Sequence, residues 1–476
     1  MTHYDHTHNW KVQGRLQAGL QAQGAGDAVI LDNEGMIPNA FIHGGQWTYG
    51  LAFDQSVLYD TSGGSIASDP RACLTYTRDC TNFVPVTNTN GVIDTGSWNI
   101  SRNAMLKDCF YATFKQEDNT WQPYEKLNPL NLAQVIALWN GEYWEDATGT
   151  SHNTTHDTMF CIPKRSVQRN ANGILMSSDP NFGDLSAFRY GNRTAGQEWD
   201  YLGIGVYPAS IVNDNLMSVS GQTPAGSLTR NAFRTLAATK GGNWHLWNWH
   251  EYALLRDMQL FCMKDFNTQA ALGNGVSSGG QSGVKNTGLT DALGPFAGDV
   301  SGTTTPVKCL VDHAWANTWM FIDDIYLGPG QSETVDSSTY YYQAVYAGTN
   351  SASSIDCSVS TGKTQILDKW YMGTPSGTNM DCQNKPIVLA TGQHSWSLNG
   401  APIDAGATNK GTCDNNWRSY HTEEPSSDTA SSPRGRNFLV GGSSDSGASD
   451  GVFAVLANHT LSRSSWTCGA RLAFTF

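Results

Sequence analysis

The stretch GGSSDSGASDGVFAVLANHTLSRSSWTCGARLAF, residues 441–474, opens on paired glycines and ends in an apolar run. Between them Ser443, Ser444, Asp445, Ser446, Ser449, Asp450, Asn458, His459, Ser462 and Arg463 interleave with Val452, Phe453, Val455 and Leu456. Apolar residues set among small polar ones read as strand scaffold carrying an exposed face, and residues displayed from such a frame are where binding functions collect. The rest of the chain is expected to hold this segment in place.

Working back from it, FLVGG (438–442) leads in as a strand. The polar tract 400–436 is too poor in aliphatics for a core and reads as a long loop or flap. PIVLATGQHSW (386–396), STYYYQAVYAG (338–348) and VKCLVDHAWANTWMFIDDIYL (307–327) are strand-like. WHEYALLRDMQLFCMKDF repeats apolar residues at helical spacing (Trp249, Tyr252, Ala253, Met258, Cys262), and a glycine-rich loop follows it. A second helix is predicted around Ala232, Phe233, Leu236 and Ala237, stopping at Gly241-Gly242. YLGIGVYPASIV (201–212) reads as strand and turn. The first 185 residues read as short strands and loops: a hairpin at 29–42, then WTYGLAF, CLTYT and CFYATF, with one helix over LNLAQVIALW after Pro129. This gives an α+β chain, with a mainly β N-terminal region at 1–185 and a second domain at 186–476.

The 476 residues carry 49 Gly, 16 Trp, 18 Tyr and 17 Phe, with only 15% charged residues; the spread of aromatics supplies cores despite the loop-rich composition. A net charge of −13 argues against a nucleic-acid partner, which needs clustered Lys and Arg. No apolar run reaches the length of a membrane span, so no membrane insertion is expected, and the start Met1-Thr-His-Tyr reads as a cytosolic one without a signal peptide. None of the ten cysteines forms a CxxC pair, so free thiols are expected in a chain made in the cytosol, although Cys73 and Cys80 can close a small loop. His3, His6 and His8 are spaced for a metal on a threefold axis, or else form a solvated terminus.

Three segments occur in an order that resembles the formylglycine-generating-enzyme type of C-type lectin fold: Ala316-Asn317-Thr318-Trp319-Met320-Phe321, Leu439-Val440-Gly441-Gly442-Ser443-Ser444 and Gly469-Ala470-Arg471. Within that superfamily the chain resembles the variable proteins of diversity-generating retroelements and phage tail proteins of the major tropism determinant type. The resemblance implies a C-type-lectin-like ligand-binding domain over 186–476, preceded by an N-terminal region that docks on a particle and helps oligomerise. It implies a host-attachment protein of a virion, made in the host cytoplasm and assembled as a homotrimer, whose partners are a host cell-surface protein or glycan and other virion proteins.

The variable-type segment 441–468 then supplies the ligand-binding residues: Ser443, Ser444, Asp445, Ser446, Ser449, Asp450, Phe453, Val455, Ala457, His459, Ser462, Ser464 and Trp466. Trp466, Phe453 and His459 are the expected anchors, because aromatics dominate hot spots. Phe453 and Val455 can equally face inward. Gly441, Gly442 and Gly469 read as scaffold, and Arg471 as one half of a structural ion pair.

Catalytic readings find less support. The enzymes of the superfamily use a cysteine pair or an iron-binding histidine set, whereas Cys413 and Cys468 lie far apart in sequence and His245, His250 and His313 are scattered. His245, His250 and Glu251 do not make HExxH. Asp323-Asp324 can hold calcium or cap a turn, and with Glu251 supplies carboxylates of the kind glycoside hydrolysis needs, without a strand-end pattern to support it. Trp244, Trp247 and Trp249 can line a sugar site or build a core. No enzyme activity, catalytic residue, metal or cofactor is therefore expected. A structural fibre or decoration protein, and a formylglycine-type oxidase, are the alternatives.

Overall fold

The computed structural model describes residues 46–54, 74–170, 173–189, 198–265, 267–335, 338–347, 366–372, 379–382, 419–422, 436–447, 450–456, 459 and 461–476. The readings made for His3, His6 and His8, for the 29–42 hairpin, for 386–396 and for Cys73, Cys357 and Cys413 lie outside these residues, as does the 400–436 tract apart from the strand Ser419–Thr422 and Arg436.

Two large sheets dominate. In the first, eight strands run in the order Trp244–Leu246, Leu472–Thr475, Tyr201–Gly205, Asp157–Pro163, Phe110–Glu117, Thr120–Asn128, Asn131–Trp139 and Trp144–Asp146, and every neighbouring pair is antiparallel. The second is built on the 17-residue strand Trp319–Val335, flanked by Ser338–Ala347 and Arg436–Gly441, with Gly451–Leu456 beyond. A four-stranded sheet holds Thr48–Phe53 between Leu74–Arg78 and Gly173–Ser177. The first large sheet is continuous across residue 185, because Asp157–Pro163 pairs with Tyr201–Gly205.

The α+β expectation is corrected by this architecture: strand residues far outnumber helical ones among the described residues, so the protein is mainly β with a small helical part. One specific error contributed. LNLAQVIALW is no helix but the strand Asn131–Trp139, which closes a hairpin on Thr120–Asn128. Leu132 and Val135 are three apart and fit a helical face, but Leu132, Val135 and Ala137 are the buried positions of a twisted, bulged strand. Pro129 sits in the turn before that strand, and pairing with the neighbouring strand settles a pattern that periodicity alone leaves ambiguous.

The helix Trp249–Met263 is the axle of the fold. Asn248 and Glu251 form a reciprocal capping box at its start, and Lys264 ends it in the left-handed region. Every residue of it except His250 is buried. It is therefore not an amphipathic surface helix but one enclosed on all sides. Its polar side chains are satisfied internally: Asp257 takes Arg169 at 2.5 Å and Arg256 at 3.0 Å, and Gln259 donates to the Cys309 carbonyl at 2.8 Å. Tyr76 donates to the Phe261 carbonyl from the four-stranded sheet, and Tyr252 to the Val452 carbonyl from the second large sheet. The shorter helix Arg230–Ala238, N-capped by Thr229, forms where it was predicted.

Candidate functional site

The three segments that carried the resemblance meet in space. Ala316 N–H donates to the Gly441 carbonyl (2.9 Å), Ser444 N–H to the Asn317 carbonyl (3.1 Å) and Trp319 N–H to the Thr467 carbonyl (2.7 Å). The short strand Cys468–Gly469 runs parallel to Trp319–Met320 in the second sheet, and three residues later Leu472–Thr475 enters the first. The terminal stretch thus crosses from one sheet to the other.

Arg471 sits at that crossing, 1% exposed. One terminal nitrogen donates to the carbonyls of Gly205 (2.7 Å) and Val206 (2.8 Å), the other to those of Asp312 (2.8 Å) and His313 (3.0 Å), and Trp247 lies under the guanidinium at 5.4 Å. The expected ion pair is replaced by a cradle of four backbone carbonyls. The Asp312 carboxylate instead accepts from Gly288 N–H and the Thr290 hydroxyl. Burial pulls the Arg471 pKa down to about 10, opposed by Asp312.

The turn that follows the strand Arg436–Gly441 is equally committed. Gly441 and Gly442 take φ values of 93° and 98°, and a Cβ on Gly442 would collide with the Asp450 carboxylate. Ser443 N–H donates to Asp450 Oδ1 (2.9 Å), and the Ser443 hydroxyl meets Asp445 and Ser446. The Ser444 hydroxyl donates to the Gly280 carbonyl at 2.6 Å. Asp450 Oδ2 is buried without a partner, and burial pushes its pKa well above the usual carboxylate range despite the Ser443 and Ser446 hydrogen bonds.

The proposed ligand residues therefore divide. Ser443, Ser444, Asp450 and Phe453 are buried; Phe453 packs into the main core with Arg256 over its ring at 5.8 Å. Their polar look concealed a turn in which hydroxyls and carboxylate serve the backbone. Asp445, Ser462 and Ser464 are exposed, and Ser446, His459 and Trp466 are half-buried. Val455 lies in the strand Gly451–Leu456, whereas Ser449 and Ala457 lie outside the described residues. Apart from His459, the accessible set sits on two turns, 445–447 and 462–466. Burial raises the pKa of the Cys468 thiol, against its hydrogen bond with Thr467 and the charge of Arg463. His459 is pushed down to about 4 by burial and by Arg463.

Sequence reasoning missed Asn317, which is fully buried with φ 65° and ties the loop before it to the site. Its presence in the Ala316–Phe321 segment was the available signal; an asparagine tolerates the left-handed region and can bond locally.

The residues considered for catalysis have structural partners. His245 bonds the Asn243 carbonyl (2.6 Å) and Glu251 (2.7 Å), His313 is buried against the Asn286 carbonyl (3.2 Å), and Asp323 binds Arg234 (2.6 Å). Trp244, Trp247 and Trp249 are core residues. Cys468 is free and buried, as are Cys80, Cys109, Cys161, Cys262 and Cys309. No helix among the described residues is long and apolar enough to cross a membrane.

Neither a family model nor a curated protein matches the sequence. Among solved structures the chain is similar to the Major Tropism Determinant U1 and I1 variants, each at 14% identity and a TM-score of 0.26, covering 77% of this chain and 72% of theirs. The P3c variant follows at 12% identity and 0.25. Superpositions this loose do not establish a shared fold.

Proposed function

We propose that the chain is a host-attachment protein of a phage or prophage particle, and that its turns 445–447 and 462–466 touch a protein or glycan on the host surface. The observation that supports this most is the division of the terminal segment: exposed Asp445, Ser462 and Ser464, with half-buried Trp466, stand on turns whose frame is fixed by Arg471, Asn317 and buried strands. A frame ordered before binding keeps the ordering cost low and lets the outer side chains change without unfolding the site. The N-terminal region docks on the particle, and several copies, as a trimer, raise modest affinity by avidity, commonly ~10²–10⁴-fold. The protein binds rather than catalyses, in keeping with the structural engagement of His245, His313 and Asp323.

The test is adsorption of particles carrying this protein in the presence of antibody raised against residues 441–468. Blocked adsorption is the expected result. Normal adsorption with antibody bound would leave a structural virion role instead.

A further inference from the structure

Away from the terminal turns, a cleft of about 530 Å³ lies where residues adjoining the four-stranded sheet, Trp47 and Ser178, meet strands of the first large sheet through Phe110, Lys126, Trp144, Pro163 and Tyr201. Its lining is unusual for a chain of net charge −13: Lys107, Lys126, Lys164 and Arg165 face one lining carboxylate, Asp108. Two of the cations are already engaged. Lys164 pairs with Asp200 at 3.1 Å, and Arg165 is buried, donating to the carbonyls of Met105 and Pro163 and to the Cys109 sulfur. The other two have no carboxylate or carbonyl partner among the described residues. Lys126 is half-buried, its ammonium 5.5 Å from the Phe110 ring and 5.9 Å from the Trp144 ring, and Lys107 is exposed at the rim.

The aromatic wall is continuous. Phe110 stands 6.0 Å from Trp144 and 5.7 Å from Tyr201, edge to face, and all three rings are partly open to solvent. Its volume falls in the range of small-molecule sites. Half-open aromatic rings beside ammonium groups that lack an anionic partner among the described residues suit a ring that is apolar on one face and carries a negative charge. A phosphoryl group would be better served by an arginine fork, and the one fork here is buried among carbonyls. A neutral sugar would use the rings but leave both lysines without an acceptor.

We propose that this cleft binds the carboxylate-bearing sugar of an anionic surface glycan, a sialic- or uronic-acid residue, with the ring against Trp144 and Tyr201 and the carboxylate between Lys107 and Lys126. The site is separate from the terminal turns and does not depend on their role.

The test is calorimetric titration of the full chain with N-acetylneuraminic acid and methyl glucuronide, using methyl glucoside and inorganic phosphate as controls. Saturable binding of at least one acidic sugar in the millimolar range is expected, weakened about tenfold by Lys126→Gln and weakened by added salt. Lys107→Gln, at an exposed position, is expected to weaken it several-fold, and Trp144→Ala to weaken it without altering the salt dependence. Asp445→Ala and Trp466→Ala leave it unchanged, so this site and the terminal turns fail or succeed separately. Equal binding of the neutral glucoside, equal competition by phosphate, or no saturation by either acidic sugar overturns the proposal.

Discussion

Asn317 holds Lys285 by the main chain at both ends of one peptide residue: its Oδ1 accepts from Lys285 N–H at 2.9 Å and its Nδ2 donates to the Lys285 carbonyl at 3.1 Å. The same residue receives Ser444 N–H on its carbonyl and gives its own N–H to Val276. One fully buried residue therefore holds the glycine-rich loop by its side chain and the turn that opens the terminal segment by its main chain. Asn317→Asp keeps the size and the first bond but sets a carboxylate oxygen against the Lys285 carbonyl. We expect a loss of about 2–3 kcal/mol in urea unfolding and faster proteolysis within 273–288. An unchanged midpoint would show that the clamp is dispensable.

Arg471 ties the strand Tyr201–Gly205 of the first large sheet to the short strand Val311–Asp312 through four carbonyls that no lysine can reach together, because an ammonium is a point donor without the planar fork. Arg471→Lys is expected to cost about 3 kcal/mol, since at least two of the carbonyls of Gly205, Val206, Asp312 and His313 lose a charged donor in a buried place. Thermal unfolding measures this, and a transition within a degree or two of the parent would sink it.

The terminal segment itself should respond unevenly. Asp445→Ala, Ser462→Ala and Ser464→Ala alter exposed side chains, and each is expected to change stability by no more than about 0.5 kcal/mol. Phe453→Ala removes a ring that is 1% exposed and should cost about 3–5 kcal/mol. Denaturant titration of the four variants separates display from scaffold. Equal costs across the set would contradict the division drawn between them.

How far the sequence carried is plain from particular residues. The helix Trp249–Met263 was legible because its apolar residues recur at helical spacing over four turns; the capping box of Asn248 and Glu251 was a further signal that went unread. Asn131–Trp139 was misread because a nine-residue run with Ala and Leu fits either period, and only the pairing with Thr120–Asn128 decides. At the site, a serine at an outward position and a serine folded into a turn are the same letter. Buried Ser444 donates its hydroxyl hydrogen bond to the carbonyl of Gly280, 164 residues away, and no local pattern announces such a partner. The basic cleft was invisible for the same reason: Lys107, Lys126, Trp144 and Tyr201 share no motif and converge only through the sheet.

The six free cysteines among the described residues are buried, and burial raises the thiol pKa of each. A thiolate is the reactive form, so these thiols should label slowly with a disulfide reagent at neutral pH and quickly once the chain is unfolded. Mass mapping of the labelled peptides checks it; rapid native labelling at Cys468 would mean that the terminal crossing opens.

Asp450 predicts a specific pH dependence. Its Oδ1 accepts from Ser443 N–H while Oδ2 has no partner, and burial raises its folded-state pKa well above the unfolded value near 4. As pH rises past that unfolded value the unfolded chain releases the proton first, so it binds fewer protons than the folded one. The contribution of Asp450 is therefore fully present below about pH 4 and declines as pH climbs toward the folded-state value. Asp450→Asn keeps the Oδ1 acceptor and titrates in neither state. The difference in urea midpoint, variant minus parent, should grow in the variant's favour between about pH 4 and pH 8, while groups common to both proteins cancel. A difference that stays constant over that range would mean that Asp450 is ionised in the folded protein, and that its unpartnered oxygen is hydrated rather than enclosed.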